Sequence, residues 1–183
     1  MCAILVRMGN QSTDSKSHVE DVIESWRKER PDLDLSDFLL AIIAMRLGRQ
    51  VDDKYDRLCR ERYKISGADM RVLFALRRAG KPYARRPTDL FRALLVTSGA
   101  ITKQVDRLLE LGLVSRDTES GGDNARVRIQ LTAAGLKVTN QATELLSKQS
   151  PIAPGVAALT RAERATLERL LPKMLIAIEA VGD

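Results

Sequence analysis

The 183-residue sequence predicts a mainly α fold with one small β-hairpin. Three observations predict it. Apolar residues recur at helical spacing along most of the chain. One stretch, residues 113–131, switches to period two around a Gly-Gly tip. Pro and Gly fall mostly between these segments or in their first turns, with Gly48 and Pro172 inside helical patterns.

The elements follow in order. Residues 1–15, with Asn10, Gln11, Ser12, Thr13 and Asp14, read as a loose tail. Ser17-His18-Val19-Glu20 has the pattern of a capping box, in which the serine accepts an early backbone N–H and the glutamate reaches back to the cap. Val19, Val22, Ile23 and Trp26 then space out a first short helix, which Pro31 ends. A long second helix is expected over residues 36–63, with Gly48 as its weak point. A helix of that length usually finds a partner helix. Ser66 caps a third over residues 66–79, stopped by Gly80-Lys81-Pro82, and Pro87-Thr88-Asp89 opens a fourth. After the turn Thr97-Ser98-Gly99, Ser98 is the expected N-cap of a fifth helix through Leu111, closed by Gly112 in the left-handed conformation. Leu113-Val114-Ser115-Arg116 and residues 126–131 alternate as two strands around residues 119–123. Thr132 caps a helix to about Lys148, and Pro151 and Pro154-Gly155 break the chain. Thr160-Arg161-Ala162-Glu163 is a second capping box, opening a last helix that Pro172 should kink.

Composition removes several classes. The longest apolar run, Phe38 to Met45, is eight residues, far below the roughly 20 that span a bilayer, so no membrane protein is expected. The first six residues are too short for a signal-peptide core, and export is not expected. Two cysteines 57 positions apart suggest neither a disulfide framework nor a metal knuckle, which points to a reducing cytoplasm. No nucleophile elbow, Walker loop, dinucleotide fingerprint or zinc-protease motif is present. The single histidine, His18, and two separated cysteines do not compose a zinc site, so neither enzyme nor cofactor is expected.

The net charge of +6 is local. Residues 1–63 hold 11 Lys/Arg against 12 Asp/Glu, whereas residues 64–130 hold 13 against 7. A basic patch of this kind is the footprint of a polyanion partner, because each Lys or Arg meeting a phosphate releases condensed counterions.

Together the short helices, the tight turn and the basic hairpin describe a winged helix-turn-helix core between longer flanking helices. On the fifth helix, Ile101, Val105, Leu108 and Leu109 form an apolar stripe. Lys103, Asp106, Arg107 and Glu110 lie opposite, with Thr102 and Gln104 on the flanks. Ser98, Thr102, Lys103 and Gln104 thus offer hydroxyl, ammonium and amide groups to base edges at the end that enters a major groove. A winged-helix module serving protein association would share this fold but lack salt-sensitive, sequence-specific DNA affinity. The basic middle third speaks against it.

The segment from Leu94 to Val114, LLVTSGAITKQVDRLLELGLV, together with Arg116, Asp123 and Leu131-Thr132-Ala133-Ala134-Gly135, resembles the MarR (multiple antibiotic resistance regulator) family over about residues 18–180. The resemblance implies a homodimeric regulator, more often a repressor, on a palindromic operator. It implies N-terminal dimerisation helices over 16–63, a DNA-binding region over 64–131 and C-terminal dimerisation helices over 132–183. Ser98, Thr102, Lys103, Gln104, Asp106 and Arg107 would then face DNA, and Arg116, Asp123, Arg126 and Arg128 would serve the wing. Family wings usually carry an arginine two residues after the bracing aspartate. Here Ala125 stands in that place, with Arg126 one position later.

The resemblance also implies a small effector, anionic or phenolic, in a cleft between the two regions. Trp26 in an extra N-terminal helix looks like the urate-responsive branch, and Arg78 fits it. Arg71 stands where that branch has an acid, and Gln104 where it has an arginine. Trp26, Arg71 and Arg78 are the effector candidates. A peroxide-sensing branch uses a reactive cysteine, but Cys59, near Tyr55 and Leu58, reads as a small core residue.

Overall fold

A computed structural model describes residues 12–118 and 127–181, which form eight helices and a three-stranded sheet. They divide into two compact units between Gln50 and Val51.

The first unit holds α1 (Ser12–Glu29) and the opening turns of α2 (Ser36–Tyr63). The helix begins at Ser12, so residues 12–15 are not tail and Ser17–Glu20 lies inside the helix rather than capping it. The break before α2 is fixed locally. Arg30 pairs with Asp32 at 2.7 Å, and Asp34 Oδ1 accepts from the Ser36 backbone N–H at 3.0 Å. Trp26 meets Phe38 edge to face, with ring centroids 5.1 Å apart. Leu39 is buried, and an apolar cavity of about 150 Å³ lies among Val19, Val22, Ile23, Leu39, Ile42 and Ile43.

The second unit begins inside α2 and continues through α3 (Gly67–Arg77), β1 (Ala84–Arg85), α4 (Pro87–Leu94) and α5 (Ser98–Glu110). It is completed by β2 (Val114–Thr118), β3 (Val127–Leu131), α6 (Ala133–Lys148), α7 (Ala153–Ala157) and α8 (Arg161–Glu179). Its core is made of Met70, Leu73, Leu76, Leu90, Ile101, Leu108 and Ile129, all under 2 % exposed, with Cys59 beneath. The long helix α2 therefore lends its C-terminal turns to the core that seats the short helices. The sheet is antiparallel in the order β1-β3-β2, with Val114 opposite Leu131 and Arg116 opposite Ile129.

Strand β1 has no counterpart in the sequence reading, since two residues are too few to show a period. It forms because Ala84 and Arg85 align with Gln130 and Ile129. Helix α7 lies where Pro154-Gly155 suggested only a break. Proline near a helix start forfeits no hydrogen bond. The expected capping box at Thr160 is formed, as are the expected caps at Ser66 and Thr132, and at Ser66 Asp69 completes a box as well.

Candidate nucleic-acid interface

Helix α4 closes with Leu95 in the left-handed conformation at φ 53°. Thr97 rather than Ser98 then caps α5, its Oγ1 accepting from the Ala100 backbone N–H at 3.3 Å. Both are good cap residues. The chain is extended at Thr97 (φ −72°, ψ 155°), which puts Ser98 in the first helical position. Gly112, at φ 65°, ends the turn after α5 in the conformation that favours glycine. The Leu113 N–H donates back to the Leu108 carbonyl at 2.9 Å.

Ile101, Val105 and Leu108 are buried to 2 % exposure or less, and Ser98, Thr102 and Lys103 are exposed. Thr102 Oγ1 donates to the Ser98 carbonyl at 3.1 Å, an exposed bond that water or a base edge can replace.

Three of the polar residues expected to face DNA are otherwise engaged. Gln104 is only 8 % exposed, because positions 101, 104, 105 and 108 share the buried face. Its Oε1 has no hydrogen-bond partner among the described residues. Gln104 is therefore corrected from a groove-facing flank residue to an inward one. Arg107 turns to α3, its Nη2 donating to Asp69 Oδ1 at 2.6 Å and its Nε to Asp69 Oδ2 at 3.3 Å. Asp106 accepts from Arg116 Nη2 at 2.6 Å, which ties α5 to β2 of the wing. Arg128 is half-buried on β3, while Asp123 and Arg126 lie outside the described residues. The α5–wing junction leaves a cleft of about 300 Å³ beside Pro87, Ile101, Thr102, Val105, Arg116 and Ile129.

The sequence reading missed Thr97 and Asp69. Thr97 shared its turn with a second good cap. Asp69 carried a signal, the Ser66-x-x-Asp69 spacing, which announces a cap but not the arginine that shares it.

The effector candidates fall in different units. Trp26 is in the first unit. Arg71 and Arg78 are both on the α3 segment of the second, two turns apart. Arg71 is bound to Asp52 and lies 5.6 Å over the Tyr55 ring, so its charge is already met and it is not an open anion receptor. Arg78, at the C-cap, is exposed. Arg71 lines a polar cleft of about 720 Å³ with Asp52, Asp56, Arg60, Asp69 and Arg107. Cys59 is 2 % exposed, and burial pushes its thiol above the usual cysteine range.

A capped helix-turn-helix with its second helix exposed at the N-terminal end, braced to a hairpin, defines a winged-helix DNA-binding transcription regulator. The MarR family model matches residues 63–124. The chain is 35 % identical over 126 residues to the HTH-type transcriptional regulator PecS of Dickeya dadantii, covering 69 % of this chain and 75 % of that one. It is likewise 35 % identical over 144 residues to the multiple antibiotic resistance protein MarR of Escherichia coli, covering 76 % and 96 %. A mutant E. coli MarR solved in complex with operator DNA superposes with a TM-score of 0.59 at 34 % identity, over 78 % of this chain and 99 % of that one. The chain belongs to the MarR family.

Proposed function

We propose that the protein is a cytoplasmic homodimer that binds a palindromic operator and represses transcription until a small anionic or phenolic effector loosens its grip. The observation that carries the DNA-facing part is the division of α5. Its apolar side is sealed in the core while Ser98, Thr102 and Lys103 stand in solvent at the N-terminal end, where backbone N–H groups and the helix dipole add attraction for phosphate. The operator complex of the E. coli relative supports the same partner. Arg116 and Arg128 are proposed to meet the flanking backbone, and Asp123 and Arg126, which lie outside the described residues, are proposed to serve the wing with them.

Dimerisation is supported by the apolar side chains that each unit leaves exposed. Leu167, Leu171, Leu175 and Ile178 recur at helical spacing on α8 and are each 40 % exposed or more. An apolar stripe of this size on a soluble chain calls for a partner. A second copy would set two α5 helices about 34 Å apart, one turn of the duplex, and any effector that changes that separation disengages one of them.

Selection of bound DNA from a random pool tests the reading. The expected result is a palindrome with half-sites one helical turn apart, and recovery of no consensus sequence refutes it. Footprinting the selected site with a panel of aromatic carboxylates and phenols tests effector control, for which unchanged occupancy throughout is the refuting result.

A further inference from the structure

Asp69 is 97 % buried on α3 and cannot reach DNA, yet its carboxylate holds α5. Oδ2 accepts from the Ser66 hydroxyl at 2.6 Å and the Ser66 backbone N–H at 3.3 Å, which closes the α3 capping box. Oδ1 accepts from Arg107 Nη2 at 2.6 Å, and Oδ2 also takes Arg107 Nε at 3.3 Å. Arg107 lies in the last turn of α5, about 13 Å along the axis from Ser98 at the helix's 1.5 Å rise per residue.

The apolar stripe of Ile101, Val105 and Leu108 fixes where α5 sits but resists roll weakly, since apolar contact is non-directional. A roll of about 20° carries a side-chain tip some 6 Å from the axis through about 2 Å, more than a hydrogen bond tolerates. A two-point guanidinium–carboxylate contact is directional, and this one is anchored on a buried group that is itself held by a cap.

We propose that Asp69 is a positioning residue for operator recognition, fixing through Arg107 the roll of α5 and so the aim of Ser98, Thr102 and Lys103. The inference rests on the DNA-binding reading. Simple electrostatics predicts the opposite sign: deleting a carboxylate beside a polyanion site strengthens binding.

The test compares wild type, Asp69→Asn, Arg107→Gln and the double variant on the DNA sequence that wild type selects and on a scrambled duplex, over a range of salt. Asp69→Asn is expected to lose about tenfold or more on the selected sequence, the scale of one lost base contact, and to hold or gain on the scrambled one. The salt slope should stay unchanged in both single variants. The double variant should lose no more than the worse single one, because both break the same clamp. Wild-type or tighter binding of the selected sequence by Asp69→Asn overturns the proposal. Additive losses, or a slope reduced by about one in Arg107→Gln, overturn it in favour of a direct phosphate contact by Arg107. Equal losses on both duplexes, tracking the folded fraction, overturn it in favour of a purely structural role. Should Asp69→Asn not fold, Arg107→Gln leaves the Ser66 cap intact and decides by the same measurements. Failure of wild type to select any sequence strikes the DNA-binding reading instead.

Discussion

The sharpest stability prediction concerns Gly135, the third residue of α6. A Cβ built there lies 1.9 Å from the Leu113 carbonyl oxygen, 3.0 Å from its carbon and 3.2 Å from Leu131 Cδ2. The carbonyl cannot simply step aside. It accepts from the Thr132 backbone N–H at 3.1 Å, while the Leu113 N–H is held by Leu108 and the next residue, Val114, is paired across to Leu131. In Gly135→Ala the gap must open by more than about 1 Å to restore ordinary carbon–oxygen contact. Overpacking of this kind costs about 1–3 kcal/mol, and losing the Thr132–Leu113 bond about 1–3 more. The better helix propensity of alanine returns about 1 kcal/mol. The net loss is about 1–5 kcal/mol, which for a domain of this size lowers Tm by roughly 2–20 °C. Because Leu113 joins α5 to the wing strand β2, operator affinity should fall at temperatures where the variant is still folded. Thermal unfolding of the purified variant followed by circular dichroism measures the effect. Gly99→Ala, whose Cβ meets nothing within 4 Å, serves as the control for stability. A Gly135→Ala protein melting at or above wild type would refute the packing argument.

Further outcomes follow from the same geometry. Lys103→Ala should weaken operator binding, with the salt slope reduced by about one if the ammonium meets phosphate, or with preference relaxed at one base pair if it meets an edge; wild-type affinity at every salt concentration would count against any contact there. Asp56 is held below the usual carboxylate range, first by Arg60 at 2.6 Å and then by the Gly67 backbone N–H at 2.7 Å. Its stabilisation is therefore complete above the unfolded value of about 3.9 and is lost as pH falls through the lower folded value. Asp56→Asn should accordingly flatten the acid limb of a Tm-against-pH curve, and an unchanged limb would show that the carboxylate contributes nothing. Cys59, buried and with its thiol pushed up, should react with a thiol reagent at pH 8 far more slowly than after unfolding; equal rates would place it at the surface. Leu171→Glu/Leu175→Glu on α8 should convert a dimer to monomer by light scattering, and an unaffected dimer would move the interface elsewhere.

What the sequence disclosed and what it withheld divide along the range of the interactions. The caps at Ser66, Thr132 and Thr160, the left-handed Gly112 and the buried stripe of α5 are settled within a few residues, and each is legible as a local pattern. The pairing of β1 depends on a strand some 45 residues away, and the destination of Arg107 on a carboxylate 38 residues earlier; no period or spacing carries that information. Gln104 shows the remaining kind of failure. A helical wheel centred on Ile101, Val105, Leu108 and Leu109 sets it on a flank. The observed seat of α5 turns the helix so that Leu109 is only half-buried and Gln104 faces inward. Polar identity argued for solvent, and the roll at which α5 is seated, held by Arg107–Asp69 and Arg116–Asp106, overrode it.

That rotation matters for how the helix works. Of the six polar residues on α5 that composition offers to DNA, the three that stay exposed and outward lie within its first two turns, and those engaged elsewhere follow. Asp106 is taken by Arg116 of the wing and Arg107 by Asp69 of α3, so the later turns of α5 are bound on two sides by groups whose charges cancel in pairs. A helix that enters a groove by its N-terminal end gains from this division. Pairing removes like-signed charge from the region that must pack, and it leaves Lys103 as a cation free to meet phosphate or base. Substitutions in the first two turns should then change which sequence is bound and how steeply salt weakens it. Those at Asp106, Arg107 or their partners should change how tightly the same sequence is held.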